Sequence, residues 1–469
     1  MAVTHRIGAL DYNWLRMDSE STPMHIGALF TFEVPHGAGD DFVGRLAAQM
    51  RAQTDFAAPW NLRLRRGVRG VRGALVPTWE ENNDLDLDYH FRHSALPRPG
   101  GERELGVLVS RLHSNPLDRG RPLWEVHLIE GVAPNRFALY LKIHHSLMDG
   151  TSGMRTMLAM MSTKAAAGKV VAPWTIGPEA TPATSGSSWL RLPNPVPAVR
   201  TVAEVAWGVG RLVVDDALVA PHAAPESVLS EPMGGQRRFA TARVPLALAK
   251  EVAAATGGTV NDVVLWLSGT ALRRFLLDSG KLPDKPLVAA LPVNLRTDGD
   301  DGIGTNVAMI LASIGTSNAD PRARLDEIVA STTAAKAHLN GLSDTGKKAY
   351  TMVSSNALVF GQLSKLDHVL PPMFSLAISN VPGPSRPMYL AGAKLDAIHP
   401  ISLLMRKGAL NITCVSYDGM IDFGFIGARD TLPHLQRIAE YVSDAAEQMK
   451  QFLSATPRLV RASDRSGAN

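Results

Sequence analysis

Residues 136–150 read Arg136-Phe137-Ala138-Leu139-Tyr140-Leu141-Lys142-Ile143-His144-His145-Ser146-Leu147-Met148-Asp149-Gly150. Through Ile143 the run alternates and is rich in aromatic and aliphatic residues, the pattern of a strand leaving a core. Gly150 supplies a permissive backbone, and Thr151 to Met161 reads as a helix opened by a hydroxyl cap. Two histidines and an aspartate therefore occupy a strand-to-helix turn, where side chains are held rigidly yet face a cleft. Imidazole titrates nearest neutral pH, so a neutral histidine there can take a proton from an attacking hydroxyl or thiol and return it to a leaving group. Asp149, four residues after His145, fixes the turn or orients a ring. A lone histidine at a strand end ordinarily just satisfies hydrogen bonds. A His-His pair followed by Asp-Gly after an apolar strand points to catalysis.

Working outward, Pro122 to Glu130 reads as the strand that pairs with 136–143 through the Gly131–Asn135 turn, with Trp124 as a packing anchor beneath it. Upstream, 24–33 is a strand and 41–53 a helix, and 102–114 is a second helix. Arg63, Arg65, Arg66, Arg69 and Arg72 form a basic strip, read first as a solvated edge that discourages pairing and second as a phosphate contact. Asp84, Asp86 and Asp88 alternate with apolar residues like one solvated strand face, with no calcium-loop glycine following. From Ala165 to Arg200 six prolines and a Thr-Ser-Gly-rich run preclude a continuous helix or central strand. Trp174, Trp189, Leu190 and Leu192 in that stretch either pack on the domain or dip into a lipid interface.

The remainder repeats the α/β character: a helix over 201–218, a strand at 237–244, a helix from Thr259 carrying Asn261 and Asp262 in its first turn, and a buried strand 287–296. Asn306–Ile314 reads as a strand, Pro321–Asn340 as a helix, and Phe374–Ser379 as a strand. A hairpin turns at Asp418-Gly419, and a last helix covers 432–452. The expected organisation is a first half over 1–164, a linker over 165–200, a second half over 201–454 and a polar tail over 455–469.

The chain has 469 residues, 45% hydrophobic and 20% charged, with a net charge of +4. That is an ordinary globular composition, and its mild basicity suits anionic cofactors or headgroups but is not a nucleic-acid-binding signature. The single cysteine, Cys414, sits in an apolar run and reads as a core thiol in a reducing compartment. No signal peptide is evident at the N-terminus. The best apolar run, 201–220, is broken by Glu204, Arg211, Asp215 and Asp216, so it is not read as a membrane span.

The turn His144-His145-Ser146-Leu147-Met148-Asp149-Gly150 matches the HHxxxDG signature of CoA-dependent acyltransferases and of nonribosomal-peptide condensation domains. Pro23-Met24-His25-Ile26-Gly27, Pro122-Leu123-Trp124-Glu125, Asn261-Asp262-Val263, Ser379-Asn380-Val381-Pro382-Gly383-Pro384 and Asn411-Ile412-Thr413 narrow the likeness. The chain resembles the bacterial wax ester synthase/acyl-CoA:diacylglycerol acyltransferase family over about residues 5–450, its actinobacterial members in particular. Asp422-Phe423-Gly424-Phe425-Ile426-Gly427 resembles the DFGWG element of the plant branch, with the tryptophan replaced, so only a structural role is carried over.

The resemblance implies two chloramphenicol-acetyltransferase-like α/β halves with mixed sheets and a substrate tunnel between them. It implies His145 as general base, His144 in support, and Asp149 as a structural strut paired with Arg296. Gly150, Pro122, Leu123, Trp124, Asn261, Asp262, Asn294 and Asn380 are the candidate tunnel residues; the oxyanion donors are not readable from the sequence, Asn294 and Asn380 being only candidates. No metal and no permanently bound cofactor is implied. Acyl-CoA would be the co-substrate and diacylglycerol or a long-chain alcohol the acceptor, in a cytoplasmic protein peripheral to a membrane or lipid droplet. A carrier-linked condensation-type transferase and a non-catalytic lipid-surface protein remain as alternatives.

Overall fold

The computed structural model describes residues 3–69, 75–166, 168–177, 217–294, 307–364 and 370–455. Fifteen strands and ten α-helices lie among them, the strands in two six-stranded sheets and a small three-stranded one. The small sheet joins β1 (Thr4–Arg6), β3 (Leu62–Arg69) and β4 (Leu75–Glu81). Arg63 and Arg65 of the basic strip both pair there with Glu80.

The first large sheet runs β12 (Tyr389–Leu390), β13 (Ala393–Ile401), β2 (His25–Glu33), β7 (Arg136–His144), β6 (Trp124–Val132), β5 (Phe91–Ala95). β7 is bonded on both sides, antiparallel to β2 and to β6. Both its faces are covered, which accounts for the near-continuous apolar run in the sequence. Around this sheet stand α1 (Ala9–Met17), α2 (Phe42–Arg51), α3 (Leu87–His90), α4 (Glu102–Ser114) and α5 (Gly150–Ala159).

The second large sheet runs β10 (Val307–Ser313), β9 (Val288–Asn294), β11 (Leu376–Pro382), β14 (Leu410–Tyr417), β15 (Met420–Ala428), β8 (Arg237–Pro245). Its pairings are antiparallel except β9–β11 and β11–β14. Five helices belong to this half: α6 (Leu246–Thr256), α7 (Val260–Asp278), α8 (Pro321–Asn340), α9 (Asp344–Leu363) and α10 (Leu435–Ala455). Each sheet backs its own large apolar cluster.

The two sheets meet along a seam. Asp422 on β15, fully buried, accepts from Arg243 Nε at 2.8 Å and from the Ile398 amide at 2.9 Å. Arg243 continues to Asp396 on β13 at 3.0 Å, and Asp396 takes Arg136 of β7 at 2.9 Å. These charges are paired with one another, the condition under which buried ions are tolerated. Beside them a Cβ at Gly424 would lie 1.8 Å from the Pro400 carbonyl oxygen, so the two backbones approach as only glycine permits. The Asp-Phe-Gly element is thus the joint between the sheets. On the edge strand β8, Ser110 and Ser114, one turn apart on α4, accept from the amides of Phe239 and Arg237 at 2.8 Å each. This covers an edge that would otherwise be open.

Beneath β7 lies a second buried polar group. Lys142, fully buried, donates to the carbonyls of Leu112 and Asn115 at the end of α4 and pairs with Glu125 at 3.1 Å. Burial pulls the lysine pKa down. Glu125 is held at about 2 against its own burial by His127 and Lys142. The lysine staples the last turn of α4, whose free carbonyls carry partial negative charge, to the sheet.

Three sequence expectations change. The Asp84–Phe91 alternation is not a strand: Asp86 caps the one-turn helix α3 through the Tyr89 amide, and His90 bonds the Trp124 carbonyl at 2.8 Å, a tertiary contact that overrides the alternation. Trp174 is fully buried, stacked on Trp124 with centroids 5.9 Å apart, so it packs within the protein. β12 and β13, unread in the sequence, complete the first sheet although they come late in the chain. Arg72, the expected helix over 201–218, Trp189, Leu190 and Leu192 lie outside the described residues up to residue 216.

Gly424→Ala should destabilise the protein by about 3 kcal/mol in denaturant unfolding, the upper end of overpacking costs, because backbone has to move to admit the methyl group. Gly44→Ala is the control. It is exposed within α2 with nothing within 4 Å of a new Cβ, and should gain about 0.5–1 kcal/mol.

Candidate active site

β7 delivers its last residue, His144, and the next, His145, to the end of the sheet. The His144 amide donates to Leu123 O on one side and the His145 amide to Met24 O on the other, both at 2.9 Å. The turn is thus fixed by backbone before any side chain acts. Asp149 then caps α5, its Oδ1 accepting from the Ser152 amide at 2.7 Å.

The two imidazoles have different surroundings. His144 is buried, and its Nδ1 accepts from the Ser146 amide at 3.2 Å and lies 2.7 Å from Ser146 Oγ. That assigns the proton to Nε2, which faces Asp18 Oδ2 at 3.8 Å. Burial opposes ionisation of Asp18, but His144, the Met24 amide and Arg119 hold its pKa at about 2. His145 instead stacks on Trp14, centroids 4.1 Å apart and planes at 25°. Its Nδ1 is buried with no hydrogen-bond partner of good geometry among the described residues. Burial lowers its pKa to about 4, opposed by its own carbonyl and by Asp149 and assisted by His144. At neutral pH the ring is therefore uncharged.

His145, Asp149 and Gly150 open onto a cavity of about 760 Å³ between the two large sheets. The wall is mainly apolar: Ile26, Phe30 and Leu141 from one sheet, Leu311, Ala377 and Val415 from the other. A cavity this size is toward the upper end of the about 300–1,000 Å³ usual for small-molecule sites. Near Asp149, Asp11 on α1 is raised to about 6 by burial and by that neighbouring carboxylate.

Other expected residues fall elsewhere. Pro122, Leu123 and Trp124 are buried behind the turn, where Leu123 supplies the carbonyl for His144 and Trp124 Nε1 donates to Trp60 O at 2.7 Å. Asp262 is a strut of α7: its Oδ2 closes a capping box with Thr259, and its Oδ1 accepts from Thr332 at 2.7 Å. Neither it nor Asn261 lines the cavity. Asn380 faces away from it because Ala377, Ser379 and Val381 take the cavity face of β11 at alternate positions. Asn294 ends β9, its backbone paired opposite Val307. Arg296, the expected partner of Asp149, lies outside the described residues.

The sequence did not expose Trp14 and Asp18, because α1 is short and opens on a glycine with no capping side chain. Asn411 and Thr413, bonded to each other at 2.9 Å, also line the wall. Two polar residues alternating with Ile412 and Cys414 in a buried strand were the available signal.

The chain belongs to the wax ester synthase/diacylglycerol acyltransferase family: its catalytic-domain profile matches residues 7–264 and its C-terminal-domain profile residues 303–450. A Mycobacterium tuberculosis protein named as a diacylglycerol O-acyltransferase is 39% identical, the match covering 95% of this chain and 97% of that one. The structure of a wax ester synthase/diacylglycerol acyltransferase from Marinobacter aquaeolei superimposes with a TM-score of 0.77 at 36% identity, over 95% of this chain and 99% of that one. A starter condensation domain of rhizomide synthetase shares the fold at a TM-score of 0.55 and 13% identity, over 97% of this chain and 95% of that one. The expected family and the two-sheet acyltransferase fold are therefore borne out.

A titration of the His145 ring followed by NMR should show a midpoint near 4 instead of the usual 6.5. A midpoint at or above 6.5 would mean that the ring is solvated and the enclosed geometry is wrong.

Proposed function

We propose that the protein transfers a long-chain acyl group from acyl-CoA to the hydroxyl of diacylglycerol, long-chain alcohols being further acceptors, with His145 as general base. The observation that carries this reading is a neutral imidazole, held at a rigid turn, opening into a large apolar cavity between the two sheets. An acyl chain fits such a wall, and a thioester carbonyl and an alcohol brought together beside His145 react as a pair already in place.

The hydroxyl proton passes to His145 Nε2 as the alcohol oxygen bonds to the thioester carbon. The carbonyl oxygen takes the negative charge. When that charge returns, the carbon–sulfur bond breaks, and the imidazolium gives its proton to the CoA thiolate, leaving ester and free thiol. No acyl-enzyme is required, and Cys414 is unsuited to be a nucleophile, since complete burial pushes its thiol far above the ordinary range. His144 supports the turn and Asp149 caps the helix that follows it.

The test is CoA-thiol release from palmitoyl-CoA with diacylglycerol, with hexadecanol and with no acceptor, for wild type and His145→Ala. Release should require an acceptor and fall at least about 100-fold in the variant. Because the ring stays neutral until the pH drops through about 4, kcat/KM should be level from pH 8 to about 5.5, where an ordinary histidine would already be mostly protonated. Release without any acceptor dependence, or a variant equal to wild type, would favour the carrier-linked or non-catalytic alternatives.

We further propose that the protein works against a lipid surface through the outer face of α9 and the adjoining α1. Among the described residues no helix is long and apolar enough to cross a membrane. α9 turns Tyr350, Leu358 and Val359 to the cavity while Met352 and Phe360 stand 63% and 61% exposed on its outside. Phe360 and Leu363 border a cleft shared with Asn13 and Arg16 of α1. Met352→Glu/Phe360→Glu should cut co-flotation with diacylglycerol-containing phosphatidylcholine vesicles at least about tenfold. Unchanged flotation would place the lipid contact on another face.

A further inference from the structure

A histidine that serves as a base usually has its second ring nitrogen held by a carboxylate or carbonyl, which fixes both tautomer and orientation. For His145 the only such group recorded is its own backbone carbonyl, and that contact is poor: among the described residues its buried Nδ1 makes no well-formed hydrogen bond. One side of the ring is instead covered by the indole of Trp14, centroids 4.1 Å apart with planes inclined by 25°. Both side chains line the cavity, so the indole walls the site as well as the ring.

The same helix reaches the other histidine. Asp18 ends α1, one turn beyond Trp14, and its carboxylate stands 3.8 Å from His144 Nε2. Asp18 is itself locked, by two nitrogens of Arg119 at 3.1 and 2.8 Å and by the Met24 amide at 2.9 Å. Residues i and i+4 fall on one face of a helix, so a single turn of α1 addresses both imidazoles, one by stacking and one by charge. We infer that α1 is the orienting element of the histidine pair and that Trp14 is a positioning residue, holding the plane of the His145 ring so that Nε2 points into the cavity.

A stacked indole does this by shape: it blocks rotation about χ2 on one side and removes water from the ring face. The groups acting electrostatically on His145 are Asp149 at the start of α5 and His144 before it, while Asp11 on α1 acts on Asp149. None of them is displaced by a change confined to the indole. The proposal rests on His145 being the base, and its test separates the two.

Trp14 is half-buried and packs against the apolar cluster of the first sheet, so the fold of each variant is checked by circular dichroism and thermal unfolding before its site is read. Trp14→Met keeps apolar bulk without a flat face, and Trp14→Phe keeps a face. In wild type the His145 ring protons should be shifted upfield by the indole current, and in Trp14→Met that shift should vanish while the ring's own NMR titration midpoint climbs toward 6.5. In the thiol-release assay Trp14→Met should lose about 10- to 100-fold in kcat, with the acyl-CoA KM within about twofold, and Trp14→Phe should recover most of the loss. Unaltered His145 resonances and titration in Trp14→Met would overturn the inference, as would a change in KM alone. Should His145→Ala keep full turnover, the base assignment fails by itself, and the resonance and titration arms still decide whether Trp14 holds the ring.

Discussion

Everything at the site depends on β7 being hydrogen-bonded along both sides to its last residue. A central strand cannot slide without breaking two ladders, and a one-residue slip would turn every side chain to the opposite face. The consecutive amides of His144 and His145 divide between the two neighbours, one bonded to Leu123 and the next to Met24. Adjacent side chains in extended backbone point to opposite faces, and here that gives one histidine to the protein interior and the other to the cavity. The asymmetry of the pair is thus a property of the sheet before it is one of chemistry.

That placement explains the electrostatics. Deep in the wall, His144 bonds Ser146 through Nδ1, while its Nε2 stands 3.8 Å from an ionised Asp18 held by Arg119. His145, facing the cavity, is surrounded by too little polar material to favour its cation, and desolvation dominates. Keeping a base neutral by exclusion of water demands an enclosure, and the enclosure comes from pieces far apart in sequence: α1, α5 and the cavity faces of β11 and β14. The charged seam of Arg136, Asp396, Arg243 and Asp422 joins the two sheets to which β11, β14 and the histidine turn belong.

Much of this was legible in the residues. The β6–β7 hairpin, α4, α8 and the β14–β15 hairpin follow periodicities that their own burial enforces, and the His-His turn announces itself by residue type. What was hidden depends on tertiary partners. Asp84, Asp86 and Asp88 alternate like a strand until the Tyr89 amide and the Trp124 carbonyl draw the segment into a helical turn. Asn380 belongs to a family-like motif, but facing is set by register, and Ser379 takes the inward position. Trp14 sits in a short helix without a capping side chain and becomes meaningful only once the histidine stacks on it.

The late strand Ala393–Ile401 closes the first sheet by pairing with β2, a strand that lies over 350 residues of chain earlier. During synthesis β2 therefore emerges with one side bonded to β7 and the other bare, and it stays a bare edge until nearly the whole polypeptide has been made. Such an edge is an invitation to pair with other chains. The histidine turn at the end of β7 consequently reaches its final support only when the last quarter of the protein returns to it, so the first half matures as a client of the second and not as a finished unit.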